Sequence, residues 1–156
     1  MGAVKLGMQA KMYRLGTGTR AAWPATGAPA ELVELSNVTD VTLNMQKGEA
    51  DVTTRANNGW KASVGTLKEG SVEMELVWDP TDAGFTALQT AFFNDTPIAL
   101  AILDGAAATV GTQGLWADFS VTNFTRSEPL NEAIKAKVTV KPTYSAVPAA
   151  WVTTAA

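Results

Sequence analysis

The sequence predicts a mainly β fold: a β-sandwich or barrel-like domain with one flanking α-helix and long extended loops and termini. Three stretches carry that expectation. In "SVEMELVW" (71–78), Val72, Met74, Leu76 and Trp78 face one way while Ser71, Glu73 and Glu75 face the other, the period of a half-buried strand. "PIALAIL" (97–103) is apolar at every position, as a strand covered on both faces requires. Only "DPTDAGFTALQTAFF" (79–93) has a helical period, with Phe85, Leu88 and Phe92 at i, i+3 and i+7.

Taken in order, 156 residues suit a single domain over 1–156. A first strand is expected around 7–15. The Gly-, Ala-, Thr- and Pro-rich stretch 16–30 then reads as a loop or arm. Its "GTGTR" lacks the third glycine or the Gly-Lys-Ser/Thr that a phosphate loop needs. Strands follow at 31–35 and 38–45, then a long hairpin loop at 46–59, and strands at 60–66 and 71–79. Asp79 is the expected N-cap of the helix (about 80–93), with Pro80 at its first position and Asp82 in the first turn. Asn94 and Pro97 end it. "GLWADFSVTNFTR" and "EAIKAKVTVKPTY" complete seven or eight strands. In the second of these, Ala136, Val138 and Val140 alternate with Lys135, Lys137, Thr139 and Lys141. The tail 145–156 has no pattern apart from Trp151 and is either disordered or docked on something.

Composition removes much chemistry. Without Cys or His there is no disulfide, thiolate metal site, cysteine nucleophile or Ser-His pair, and no group that titrates near neutrality unaided. Net charge is −3 and Lys and Arg do not cluster, so tight duplex binding is not expected. No apolar run reaches a membrane span, and "MGAVKLGMQAKMYRL" lacks a signal peptide's apolar core, so synthesis and assembly in a cytosol are expected. Charged residues make up only 17%, below the usual quarter, which suits a surface partly covered by partners.

One run resists the bland reading. "GEADVTTRANNGW" (48–60) gathers Glu49, Asp51, Arg55, Asn57 and Asn58. A two-residue turn at Asn58-Gly59 would set Arg55 opposite Ala62 and Asp51 opposite Thr66, leaving neither face of the arm greasy enough to lie on a core. Asp51 and Arg55, about 13 Å apart along a strand, cannot pair with each other and are available to another subunit. Glu49 and Asp51 as a catalytic pair lack an apolar pocket to split their pKa values, and as a Ca²⁺ site they lack the dense loop of oxygen ligands. No catalytic residue, cofactor or metal is assigned. Of the five tryptophans, Trp60 and Trp78 are expected in the core, while Trp23 and Trp151, in unpatterned arms, are expected to anchor contacts. An exposed indole can also stack on a sugar, so a carbohydrate-binding β-sandwich module of a virion or secreted protein is the alternative.

The order "NVTDVTLNMQKGEADVTTRANNGW", a charged turn, "SVEMELVWDP", a helix and "DFSVTNFTRSEPL" resembles the tail tube (major tail) proteins of long-tailed phages and prophages over roughly 35–144. The type VI secretion tube protein is a structural cousin. The resemblance implies a structural virion protein, not an enzyme. Six copies would form a ring, and rings would stack into a self-assembled tube through which DNA passes without specific binding. Tail tip or initiator, tape measure and tail terminator proteins would be further partners, with no membrane involved. Glu49, Asp51, Arg55, Asn57, Asn58, Trp23 and Trp151 would then meet neighbouring subunits or rings, the hairpin loop, the 16–30 arm and the C-terminal arm carrying them. Glu73 and Glu75 would line the lumen as an acidic surface that does not hold DNA; Lys135, Lys137 and Lys141 would cut against that by adding attraction if they share the face.

Overall fold

The computed structural model describes residues 4–16 and 19–156, so two residues of the 16–30 arm, including part of "GTGTR", lie outside it. Eight strands form one antiparallel sheet: β1 (Lys11–Leu15), β2 (Leu32–Glu34), β3 (Val38–Asp51), β4 (Ser63–Val77), β5 (Ile98–Leu103), β6 (Gln113–Ser127), β7 (Lys135–Pro142) and β8 (Ala150–Thr153). One helix, α1 (Ala83–Phe93), joins β4 to β5. The strand order is β2-β1-β5-β6-β7-β4-β3, and β8 pairs with the first part of β6.

This sheet cannot be flat. Seven strands at ~4.8 Å would hold β2 and β3 about 29 Å apart. Yet Glu34 and Val38 are joined by a link that spans at most about 14 Å. The sheet therefore rolls until its two ends approach, with no ladder joining β2 to β3 among the described residues.

Inside the roll, the alternation read from the sequence does the packing. Val72, Met74 and Leu76 of β4 and Ala136, Val138 and Val140 of β7 are buried, with Leu100, Ala117 and Phe119 beside them. Leu88 and Ala91 of α1 lie on this cluster. Phe85 meets Trp78 edge-on at 4.6 Å and Phe124 at 5.8 Å. "PIALAIL" is covered on both sides as expected. Leu100 joins the inner cluster, and Ala99, Ala101 and Leu103 join a second one with Trp116 and Val152, against which Trp23 and Ala28 of the 16–30 arm pack.

Three local expectations change. Asp82, not Asp79, caps α1, accepting the Phe85 amide at 2.9 Å. Asp79 instead accepts the Thr81 amide and hydroxyl, and Pro80 serves the turn that Asp82 N–H closes on Asp79 C=O. The charged turn expected near residues 67–70 is absent, because β4 runs straight through it. A register shift between Lys47 and Glu49 absorbs one residue there, and Thr66 fills the space a side chain at Gly48 would need. The tail is docked: β8 lies on β6, with Val152 and Thr154 buried.

Candidate assembly interface

β4 pairs with β7 only from Val72 to Val77. Beyond that point β3 and β4 continue alone, as a two-stranded ribbon built from residues 44–51 and 63–71. Its residues are exposed on both faces apart from Gly70 and Ser71 at its root. The hairpin loop expected over 46–59 is thus ladder over 46–51, and the loop itself spans 52–62.

The tip is held by its own hydrogen bonds. Asp51 accepts the Thr53 amide at 2.8 Å. The Thr53 hydroxyl accepts the Ala62 amide at 2.9 Å, and Asn57 Oδ1 accepts the Thr54 amide at 2.6 Å. Thr54 caps a single 3-10 turn, Arg55–Asn57. The Asn58-Gly59 turn is present as read: both residues have positive φ, 52° and 85°, and Trp60 N–H closes it on Asn57 C=O at 3.0 Å. Hydrogen bonds from the Thr53 side chain, then from its backbone amide, hold the Asp51 carboxyl below its ordinary range.

The 3-10 turn corrects the register. Asp51 pairs with Ser63 rather than Thr66, and the Val52 amide reaches Ala62 C=O. A shift by an odd number of residues exchanges the faces of one strand relative to the other. Ala50, Val52 and Val64 therefore share a side, and the arm is apolar on one face rather than polar on both. Trp60, expected in the core, is 79% exposed at the tip, because the turn swings it off the ladder. Asp51, Asn57 and Asn58 shape the tip, whereas Glu49 and Arg55 enter none of the ion pairs found among the described residues.

The two arm tryptophans have partners within the chain. Trp23 meets Trp116 edge-on at 5.5 Å. Trp151, on β8, donates to Gln113 Oε1 at 2.9 Å and stays half exposed. Arg20, fully buried, pins the 16–30 arm to the tail: its Nε lies 3.1 Å from Asp118, and its Nη2 donates to Val147 C=O. Sequence reading missed this cluster, since a lone arginine in a Gly- and Ala-rich stretch gives no periodic signal.

Glu73 and Glu75 lie on the uncovered face of the sheet. Lys137 pairs opposite Glu75, and Lys135 Nζ approaches Glu75 at 3.3 Å, so the lysines share that face. Thr139 pairs opposite Glu73, and Asn123, Thr125 and Ser127 continue the polar surface across β6. Charge on this face is mixed, not acidic.

A cleft lies where the rolled sheet fails to close. About 890 Å³ in volume, it separates β1 from β3, with Leu35, Val38, Val41, Leu43, Ile102 and Leu103 among its walls.

No curated protein sequence matches the chain. Its fold is similar to a subunit in the tail of an empty GTA particle refined with C6 symmetry (14% identity, TM-score 0.69, covering 97% of this chain and 100% of that one). It is also similar to the SPP1 tail tube (11%, 0.64, 98% and 81%) and to the baseplate of the anti-feeding prophage (7%, 0.60, 98% and 98%). At such identities the likeness is one of fold. The family profile described as phage tail tube protein matches residues 23–143, from within the arm through the helix to the end of β7. With most of its length matched, and a sheet, ribbon and helix in the order that family was expected to have, the chain belongs to the phage tail tube protein family, a structural and not an enzymatic one.

Proposed function

We propose that copies of this chain assemble into stacked rings of six, forming a tail tube that conducts DNA out of a virion and is built in the host cytoplasm. One observation carries the reading: the polar half of the sheet, β3-β4-β7-β6, has two unpaired edges. β3 pairs only with β4, and beyond Phe119 the side of β6 that β5 occupied has no strand partner among the described residues. Exposed edges invite pairing, and two different edges on opposite sides of one subunit give the heterologous contact from which rings close. Four strands from each of six copies, at ~4.8 Å per strand, make a wall about 115 Å around. The six-fold count follows the symmetry of the empty GTA tail.

The uncovered face would then line the bore, with Glu73 and Glu75 offset by Lys135, Lys137 and Lys141. A lumen so nearly balanced neither grips a polyanion nor strongly repels it. Arg55, Glu49 and Trp60 on the arm would meet the next copies. Tail tip, tape measure and terminator proteins are the further partners this reading implies.

Negative-stain electron microscopy of the untagged protein at high concentration tests it. Rings or hollow tubes are expected. Arg55→Ala is expected to leave the monomer's stability within about 0.5 kcal/mol, as exposed positions do, while sharply lowering tube yield. A chain that stays monomeric even when seeded with a tail-tip complex sinks the reading. Sugar binding by that monomer would favour the carbohydrate-binding alternative.

A further inference from the structure

We propose that the apolar strip on the distal arm of one copy seats in the cleft between β1 and β3 of another copy. The inference rests on the tube reading and names the two surfaces that meet.

The strip is Ala50, Val52 and Val64 on one side of the ribbon, with Leu67 at the bulge and Trp60 at the tip 82% and 79% exposed. A two-stranded ribbon has no second layer with which to cover such side chains, so water is their only neighbour until another surface arrives. The cleft is the complementary defect. Its walls combine an apolar stretch, Leu35, Val38, Val41, Leu43 and Ile102, with a polar rim; it opens to solvent at Val41 (40% exposed), and β3 borders it with an unpaired edge.

Both features lie on the same strand, at opposite ends. Leu43 is the cleft wall nearest the arm and Ala50 begins the strip on β3, seven residues further along an extended strand of ~3.3 Å per residue, or about 23 Å. A copy's own strip therefore cannot reach its own cleft, and the contact has to be between molecules. Charge agrees with this pairing. Arg55 and Lys61 belong to the same tip loop as Trp60, and Asp40 and Asp104 stand among the cleft residues, the complementarity that fixes register. Lys11, also in the cleft, is already paired with Glu34 at 3.5 Å. A tip-to-root contact of this kind is heterologous and propagates along a line, as stacking requires.

The chain has no cysteine, so introduced pairs report without background. Val64→Cys combined with Val41→Cys, treated with a short bis-maleimide after assembly, should give a ladder of linked multimers, and either variant alone should stay unlinked. Asp40→Lys should cut tube yield at least tenfold, and adding Arg55→Glu should restore it. Normal tubes from Asp40→Lys with no link between positions 64 and 41 overturn the seat and leave the tube reading standing. A link confined to one chain also overturns it. Wild-type protein that never forms tubes overturns both.

Discussion

Asp51, Thr54 and Asn57 hold the tip of the arm with bonds that require no other chain, so the tip is shaped before any partner arrives. Thr54→Ala removes the cap of the 3-10 turn and should raise local opening there by on the order of 1 kcal/mol, read as faster amide exchange at Ala56 and Asn57 with an unchanged melting temperature. The Asp51 carboxyl is depressed below 3.8 by Thr53. Its contribution is therefore complete above the unfolded value and is lost as pH falls through the lower folded value. An NMR titration of Asp51 should show a midpoint under 3.8, moving back toward it in Thr53→Ala. Gly114 is the opposite sort of residue, fixed by closeness: a Cβ there would overlap the Ile102 carbonyl of β5. Gly114→Ala must push two paired strands apart and should cost about 1–3 kcal/mol in denaturant unfolding. At this scale the Asn58-Gly59 turn was legible, since only a few residue pairs accept two positive φ angles in succession. Trp60 was not legible. Its side depends on register, and register depended on a 3-10 turn with no periodic signature.

Among the elements, α1, the 71–77 half of β4 and β7 were readable because their periods of 3.6 and 2 survive in the burial of Leu88, Met74 and Val138. Leu88→Ala, at full burial between helix and sheet, should cost about 2–5 kcal/mol. Three elements misled. β4 was split in two because Lys68, Glu69 and Gly70 look like turn residues, whereas a bulge opposite Gly48 carries the strand past them. β3 was cut short at Met45 because its distal half alternates against water and not against a core. β8 went unseen because its four residues, Ala150–Thr153, are too few to show an alternation beyond Val152 facing in. That last correction changes an experiment: truncation before Pro148, the direct way to test the C-terminal arm as an interface, strips a strand from β6 and the Arg20 contact to Pro148 C=O. It should lower the melting temperature as well as assembly, so a tube defect in that variant is not evidence of an interface.

The whole molecule divides into a cored body, covered by α1 on one cluster and by the 16–30 arm and tail on the other, and an uncored ribbon reaching away from it. Charge on the open face is its second large-scale property. Glu73→Gln with Glu75→Gln leaves Lys135, Lys137 and Lys141 unopposed. Assembled tubes of that variant should retain DNA at low salt and release it as salt rises, where wild-type tubes retain little at either. Neither property could be read from composition, since a net charge of −3 says nothing about which faces share which signs.

The ribbon also has a mechanical meaning. Strain across the body is shared by neighbouring strands and a packed core, but strain along the arm meets only two strands, bent already at Gly48. In the proposed stack the arm is thus the compliant member and the body the stiff one. A tail made this way would flex between rings while each ring kept its bore open.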